Sequence, residues 1–232
     1  MEQVTEWDLA AASVRDLNAM LHAAERSGDD APRSLRILNP QGRHNLAVGL
    51  DAPWHVDIMG HAGYFIAGMN KHAQVTVHGN VGWSVAENMM SGVVRVKGNA
   101  SECAGASAHG GLLVIEKDAS SRCGISLKGG DIVVGGSVGH MSAFMAQAGT
   151  LVVCGDAGPA LGDSLYEAVI YVRGRIDSLG ADAREEPLTE TDHQRLVELL
   201  DRAEFRCNPR DFKRVASARM LYHWHVDAHQ EY

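Results

Sequence analysis

The side chains in this sequence that could bind a metal or attack an electrophile are twelve histidines and four cysteines, with a scatter of carboxylates. A zinc site needs three or four ligands converging on one point. His55, His61, His72, His78, His109 and His140 run through the middle of the chain, and His223, His225 and His229 lie in its tail. Neither spacing is a known ligand frame. A thiol nucleophile needs a neighbouring base and a cleft. Cys103 has His109 close by in sequence, while Cys123 has no histidine placed for it. Cys103, Cys123, Cys154 and Cys207 show no CxxC spacing and read as free thiols of a cytoplasmic protein. The segment Gly79-Asn80-Val81-Gly82 has the composition of a phosphate cradle. A cradle, however, occurs once, between a strand and a helix, and this pattern recurs along the chain with no helix after it.

The recurrence dictates what must position these groups. Blocks of equal length start at His55, Gln74, Val93, Leu112, Asp131, Thr150 and Val169, each 19 residues after the last. Their second position reads Val56, Val75, Val94, Leu113, Ile132, Leu151, Ile170, and their fourth reads Ile58, Val77, Val96, Ile115, Val134, Val153, Val172. Alternating apolar residues in a short run mark a strand with one face inward. The sixth position is glycine in all blocks but one (Gly60, Gly79, Gly98, Lys117, Gly136, Gly155, Gly174), followed by a polar residue and then a small or branched one. A second corner carries Gly63, Gly82, Gly139 and Gly158. One block buries too little to fold alone, whereas stacked blocks share a core. Parallel strands about 4.8 Å apart make seven blocks a prism on the order of 34 Å tall. The six mid-chain histidines occupy six different positions of the block, and Glu87, Glu102 and Glu116 are scattered over three different ones among themselves, so neither a ligand set nor a carboxylate pair emerges. The expected fold is all-β, a parallel β-helix flanked by helices, with no catalytic, cofactor or metal site.

The flanks divide the chain into residues 1–35 (helix and linker), 36–187 (β-helix) and 188–232 (helix and tail). Thr5-Glu6-Trp7-Asp8 predicts a capping box that opens a helix to about Ala24, and Ser27–Pro32 reads as linker. Residues 36–54 form an imperfect first rung, its strand spoiled by Asn39 and Pro40. Thr189 or Thr191 caps a second helix, which Asn208-Pro209 ends. The tail concentrates Phe212, Lys213, Arg214, Arg219, Tyr222 and Trp224 in an otherwise acidic chain. Aromatic residues and arginine dominate interface hot spots, so these six are candidate partner contacts; the alternative is that the tail covers the last rung. With Lys+Arg 21 against Asp+Glu 29, the net charge of -8 argues against nucleic-acid and anionic-membrane binding. No apolar run approaches the ~18 residues of a membrane helix. The start, Met1-Glu2-Gln3, lacks a basic leader region, and a cytoplasmic location is expected.

The corners Gly79-Asn80-Val81-Gly82 and the run Lys128-Gly129-Gly130-Asp131-Ile132-Val133-Val134-Gly135-Gly136 resemble the GXGXG domain of glutamate synthase large subunits, over residues 40–187. The resemblance implies a right-handed β-helix; related chains occur in formylmethanofuran dehydrogenase. A β-helix alone, with a leading helix and a tail such as Phe212–Tyr222, is similar to one subunit of N-methylglutamate synthase. What that implies is a hetero-oligomer with a class II glutamine amidotransferase-like subunit and an FMN-binding subunit. The flavin, and any iron–sulfur cluster, would sit on those partners and none on this chain. The complex would form N-methylglutamate and ammonia from methylamine and glutamate, with this subunit as scaffold. An autonomous enzyme using the histidines or Cys103 is the alternative of a different class.

Overall fold

A computed structural model describes residues 4–25 and 33–220. Nine strands stack parallel in chain order: β1 (Thr5–Asp8), β2 (Arg33–Leu38), β3 (Trp54–Ile58), β4 (Gln74–Val77), β5 (Val93–Val96), β6 (Leu112–Ile115), β7 (Lys128–Val134), β8 (Ala148–Val153) and β9 (Val169–Val172). From β3 to β9 the register follows the repeat, Val56 opposite Val75, then Val94, Leu113, Ile132, Leu151 and Ile170. Those side chains and their partners two residues on are buried in one continuous core. A second ladder climbs the next corner through single bridges at Ala62, Val81, Ala100, Ala119, Val138, Ala157 and Ile176. The result is a parallel β-solenoid. Among the described residues no helix is long and apolar enough to cross a membrane.

Two parts of the N-terminal reading are corrected. Thr5–Asp8 is strand β1, paired parallel with β2 from Thr5 opposite Leu35, and not the start of a helix. The open edge of β2 supplies backbone partners to a residue run that alternates in polarity, and sheet pairing outweighs the local capping pattern. Helix α1 (Val14–Glu25) starts instead after Ser13, whose hydroxyl accepts from the Asp16 N–H at 3.1 Å. The first rung also begins earlier than residue 36. Leu35 pairs with Val56, two residues beyond the repeat length, and Asn39 and Gln41 form the corner with φ of 53° and 43°. Residues 27–32, expected as linker, fall outside the described part.

Both ends of the stack are covered. Leu17 and Leu21 of α1 are fully buried on the first rung, where Asn18 donates to Asn45 O at 2.8 Å. At the other end β11 (Lys213–Ser217) lies antiparallel on β9, and β10 (Ala183–Glu186) lies antiparallel on β11. The last rung is one residue short after Ile176, so Leu161 faces Leu179. This moves Gly180, not Ala181, into line with Gly162, through Gly180 N–H to Leu161 O at 2.8 Å.

Helix α2 (Glu190–Ala203) lies on the outer face of the sheet. Leu196, Leu199, Leu200 and Ala203 pack on Leu112, Val114, Val133, Val152 and Tyr171. Strands under it are buried on both faces, as in β6, whereas β4 alternates exposed and buried. The third position of the block records this change, running from Asp57, Thr76 and Arg95 to Val114, Val133, Val152 and Tyr171.

Candidate functional site

Most chemically suggestive residues of the repeat serve the corner itself. His61 Nδ1 accepts from the Asn80 N–H at 2.9 Å, and Asn80 Oδ1 from the Asn99 N–H at 2.9 Å. Asn99 Oδ1 accepts from Asp118 N–H at 3.1 Å, Asp118 Oδ1 from Ser137 N–H at 2.7 Å, and Ser137 Oγ from Asp156 N–H at 3.0 Å. Asp156 Oδ1 accepts from Arg175 N–H at 2.7 Å. Each acceptor satisfies a backbone N–H one rung on, which is why this position alternates among residue types that share only an acceptor. The preceding glycine gives the close approach. A Cβ on Gly98 would lie 2.6 Å from Gly79 O and 2.3 Å from Asn80 Oδ1. Gly79, Gly136, Gly155 and Gly174 meet the backbone of the preceding rung in the same way, as do Gly82, Gly139 and Gly158 at the second corner. Gly60 differs, with φ of +142° over Pro40.

The remaining titratable groups are dispersed. His78 Nε2 sits 2.6 Å from Asp57 Oδ1, His72 Nε2 3.8 Å from Asp51, and the His55, His109 and His140 side chains are exposed. Among the described residues no three His, Cys, Asp or Glu side chains converge as a metal site. His223, His225 and His229 lie outside them. Glu116 is held between Lys97 at 2.7 Å and Arg95 at 3.2 Å. Burial raises its carboxyl, and these two cations outweigh that and leave it below the usual range. Burial, and then the charge of Glu102, push the Cys103 thiol up, against formation of a nucleophile. Burial pushes Cys123 up to about 12.

The third wall of the solenoid has a different character. Alternate residues take the left-handed conformation, as in Phe65, Ala67 and Met69 (φ 57°, 52°, 57°) and again in Ser84, Ala86 and Asn88 (φ 61°, 55°, 54°). Their N–H groups bond alternately forward and back: Ser84 to Glu102 O and Asn88 to Ala106 O at 2.9 Å, Ala86 to Ile66 O at 2.9 Å. Non-glycine residues hold such φ only where their surroundings fix it, and rung-to-rung bonding does so here. The wall carries large apolar groups into solvent: Trp83 is 50% exposed, Met90 48%, Tyr64 47%, Met69 46% and Met145 38%. The rings of His44, Tyr64 and Trp83 stack across three rungs, with centroids 4.4 Å and then 5.2 Å apart. Exposed apolar side chains on a rigid stack, with Tyr64 and Trp83 in ring contact among them, are the mark of an interaction surface. This is the candidate functional site. Its signal was present in the repeat, since Tyr64 and Trp83 share the tenth position and Met69 and Met145 the fifteenth.

The tail residues expected to meet a partner differ in their placement. Phe212 is 4% exposed, packed in the cluster beneath α2. Arg214 Nε bonds Asp192 Oδ1 at 3.1 Å and its guanidinium also pairs with Glu186. Lys213 Nζ donates to Gly174 O at 2.9 Å. In this stretch the open edge of β9 is satisfied by β11, which takes Phe212 and Arg214 into the chain's own packing and leaves Lys213 exposed. Arg219 lies at the surface, 3.5 Å from Glu167, and Tyr222 and Trp224 fall outside the described residues.

No family model matches the sequence. Over 221 residues the chain is 53% identical to Protein GlxC of Rhizobium meliloti (strain 1021), covering 95% of this chain and 96% of that one.

Proposed function

From the premise that this chain belongs to the family of Protein GlxC, we propose that it is the non-catalytic scaffold subunit of a glutamate-synthase-like complex. Its partners are a class II glutamine amidotransferase-like subunit and an FMN-binding glutamate-synthase-like subunit, and the reaction is that of N-methylglutamate synthase. The flavin and any iron–sulfur cluster belong to the partners. The observation that carries this reading is the third wall, with Tyr64, Met69, Trp83, Met90 and Met145 held in solvent by a hydrogen-bonded stack. A stack of rungs is stiff because each rung is bonded to both neighbours, and such a body can keep two catalytic partners at a fixed separation. Several residues that suggested independent chemistry act in corners, ion pairs or burial, among them His61, His78, Glu116 and Cys123, which supports a scaffold over an autonomous enzyme.

The test is purification of the tagged chain from its own host, with identification of the chains that accompany it. Amidotransferase-like and FMN-binding chains are expected; molybdenum and iron–sulfur chains would instead place it in a formylmethanofuran dehydrogenase-type assembly. Trp83→Glu and Met69→Glu are expected to keep the parental melting temperature, since exposed substitutions cost within about 0.5 kcal/mol, and to lose the accompanying chains. Unchanged assembly in both variants would remove the third wall from the interface.

A further inference from the structure

Cys207, in the segment that follows α2, is partly buried, and its sulfur accepts a hydrogen bond from Arg173 Nη1 at 3.3 Å. Arg173 stands on the rung after Cys154, at the same position of the block, so both face the segment that carries Cys207. Cys154 is 2% exposed, in the cluster beneath α2 against which Cys207 packs. One thiol of this pair is thus accessible beside a guanidinium, and the other is packed behind it. Cys207 also lines a cavity of about 540 Å³ bounded by Val197, Leu200, Phe205, Arg206 and Pro209, which gives small reagents a way to the sulfur. Corner bonding, the sheet core and the third wall make no use of either thiol.

We propose that Cys207 and Cys154 are a peroxide-reactive pair that closes to a reversible disulfide, pinning the segment after α2 to the outer face of the sheet. Cys207 attacks one oxygen of hydrogen peroxide; the O–O bond breaks, hydroxide leaves and takes up a proton as water, and Cys207 becomes a sulfenic acid. The Cys154 sulfur then attacks the sulfenic sulfur and expels hydroxide, which leaves as water with the proton Cys154 gives up. Two thiols lose two electrons in total, and the peroxide is reduced to two waters. A dithiol reductant reverses the step. Arg173 places positive charge where the attacking sulfur is negative. Burial pushes the Cys154 thiol up to about 12 and disfavours it as the first attacking sulfur; in the second step its closeness to Cys207 in the same cluster offsets that cost. The other neighbouring thiols, Cys103 and Cys123, have Glu102 and Glu87 against the accessible sulfur and serve as an internal comparison.

The experiment exposes the full, reduced chain to hydrogen peroxide near neutral pH and maps the cysteine peptides by mass spectrometry. A Cys154–Cys207 cross-link, removed by dithiothreitol, is expected. In Cys154→Ser the reaction stops at Cys207, and a dimedone adduct accumulates there. Arg173→Gln slows dimedone capture of Cys207 by about fivefold or more, the expected consequence of removing a neighbouring cation, while circular dichroism reports whether the fold is kept. Oxidation confined to Cys103, a link between two chains, or a Cys207 sulfenic acid that never passes to Cys154 would each overturn the proposal. None of these outcomes bears on the scaffold reading, which is tested by assembly.

Discussion

At the residue scale the corner glycines set the spacing between rungs. Gly98 has an ordinary φ, and the obstacle to a side chain is the Gly79 carbonyl 2.6 Å from where its Cβ would stand. Lys117 occupies the same position one block later. Its N–H reaches Gly98 O at 3.3 Å, whereas Gly136, Gly155 and Gly174 reach the rung before at 2.9, 2.8 and 2.9 Å. A side chain is therefore admitted where the rungs part by a few tenths of an ångström. Gly98→Val, which adds branched bulk where Asn80 Oδ1 already stands, is expected to cost about 2 kcal/mol or more by overpacking. A melting curve superimposable on the parent's would contradict it. His61, read alone, is a candidate metal ligand, and Asp118 and Asp156 are simply polar residues of the corner. Only the next rung's N–H shows them to be acceptors in a ladder, and that partner lies a full repeat away in sequence.

At the element scale a buried carboxylate of α2, Asp192, ties the helix to the sheet beside its apolar face. Asp192 accepts from the Thr189 N–H at 2.8 Å and its hydroxyl at 2.6 Å, from Tyr171 OH at 2.5 Å and from Arg214 Nε at 3.1 Å. It closes the helix cap and joins α2 to β9 and β11. Burial alone would raise its carboxyl, and the hydrogen bonds from Thr189 and Tyr171 with the charge of Arg214 hold it below the usual carboxylate value. Because the folded value is depressed, its stabilisation is present above the unfolded carboxylate pKa of about 3.9 and is lost as pH falls through the folded value. Asp192→Ala is expected to cost about 2–4 kcal/mol, combining a lost cap with a buried Tyr171 hydroxyl left without its acceptor and an Arg214 left with Glu186 alone. Thermal melts of the parent should fall below about pH 4, with a smaller fall in the variant. A parent and variant with equal melting temperatures at neutral pH would refute this account. The sequence showed α2 and narrowed its cap to Thr189 or Thr191, since both are local patterns, and the structure places Thr189 there. The sequence did not show that the segment after Asn208 becomes a strand on β9. An open sheet edge is created by the tertiary stack, and no local pattern in Lys213–Ser217 announces which edge it will meet. The same holds at the other end, where β1 pairs with β2 across the whole of α1.

At the scale of the whole molecule, the solenoid is a one-dimensional array in which each rung answers only to its neighbours. The strand register, the corner ladder and the third wall all advance by the same repeat between β3 and β9. Removing residues 74–92 takes out one whole block and joins Ala73 to Val93. His61 then meets the Asn99 N–H in place of Asn80, Val56 meets Val94, and Ala62 meets Ala100, so the core and corner contacts are replaced by ones of the same kind, while the Tyr64–Trp83 stack and the His78–Asp57 pair are lost. The helix α2 lies on later rungs and keeps its seat. This shortened chain is expected to fold, with a parental far-ultraviolet spectrum per residue and a lower melting temperature. Removing residues 74–91 instead shifts the join by one residue and turns the inward side chains of the adjoining strand outward. That chain is expected to be insoluble or to lack a cooperative melt. Equal behaviour of the two deletions, whether both fold or both fail, would mean that rung-to-rung register is not what holds the stack together.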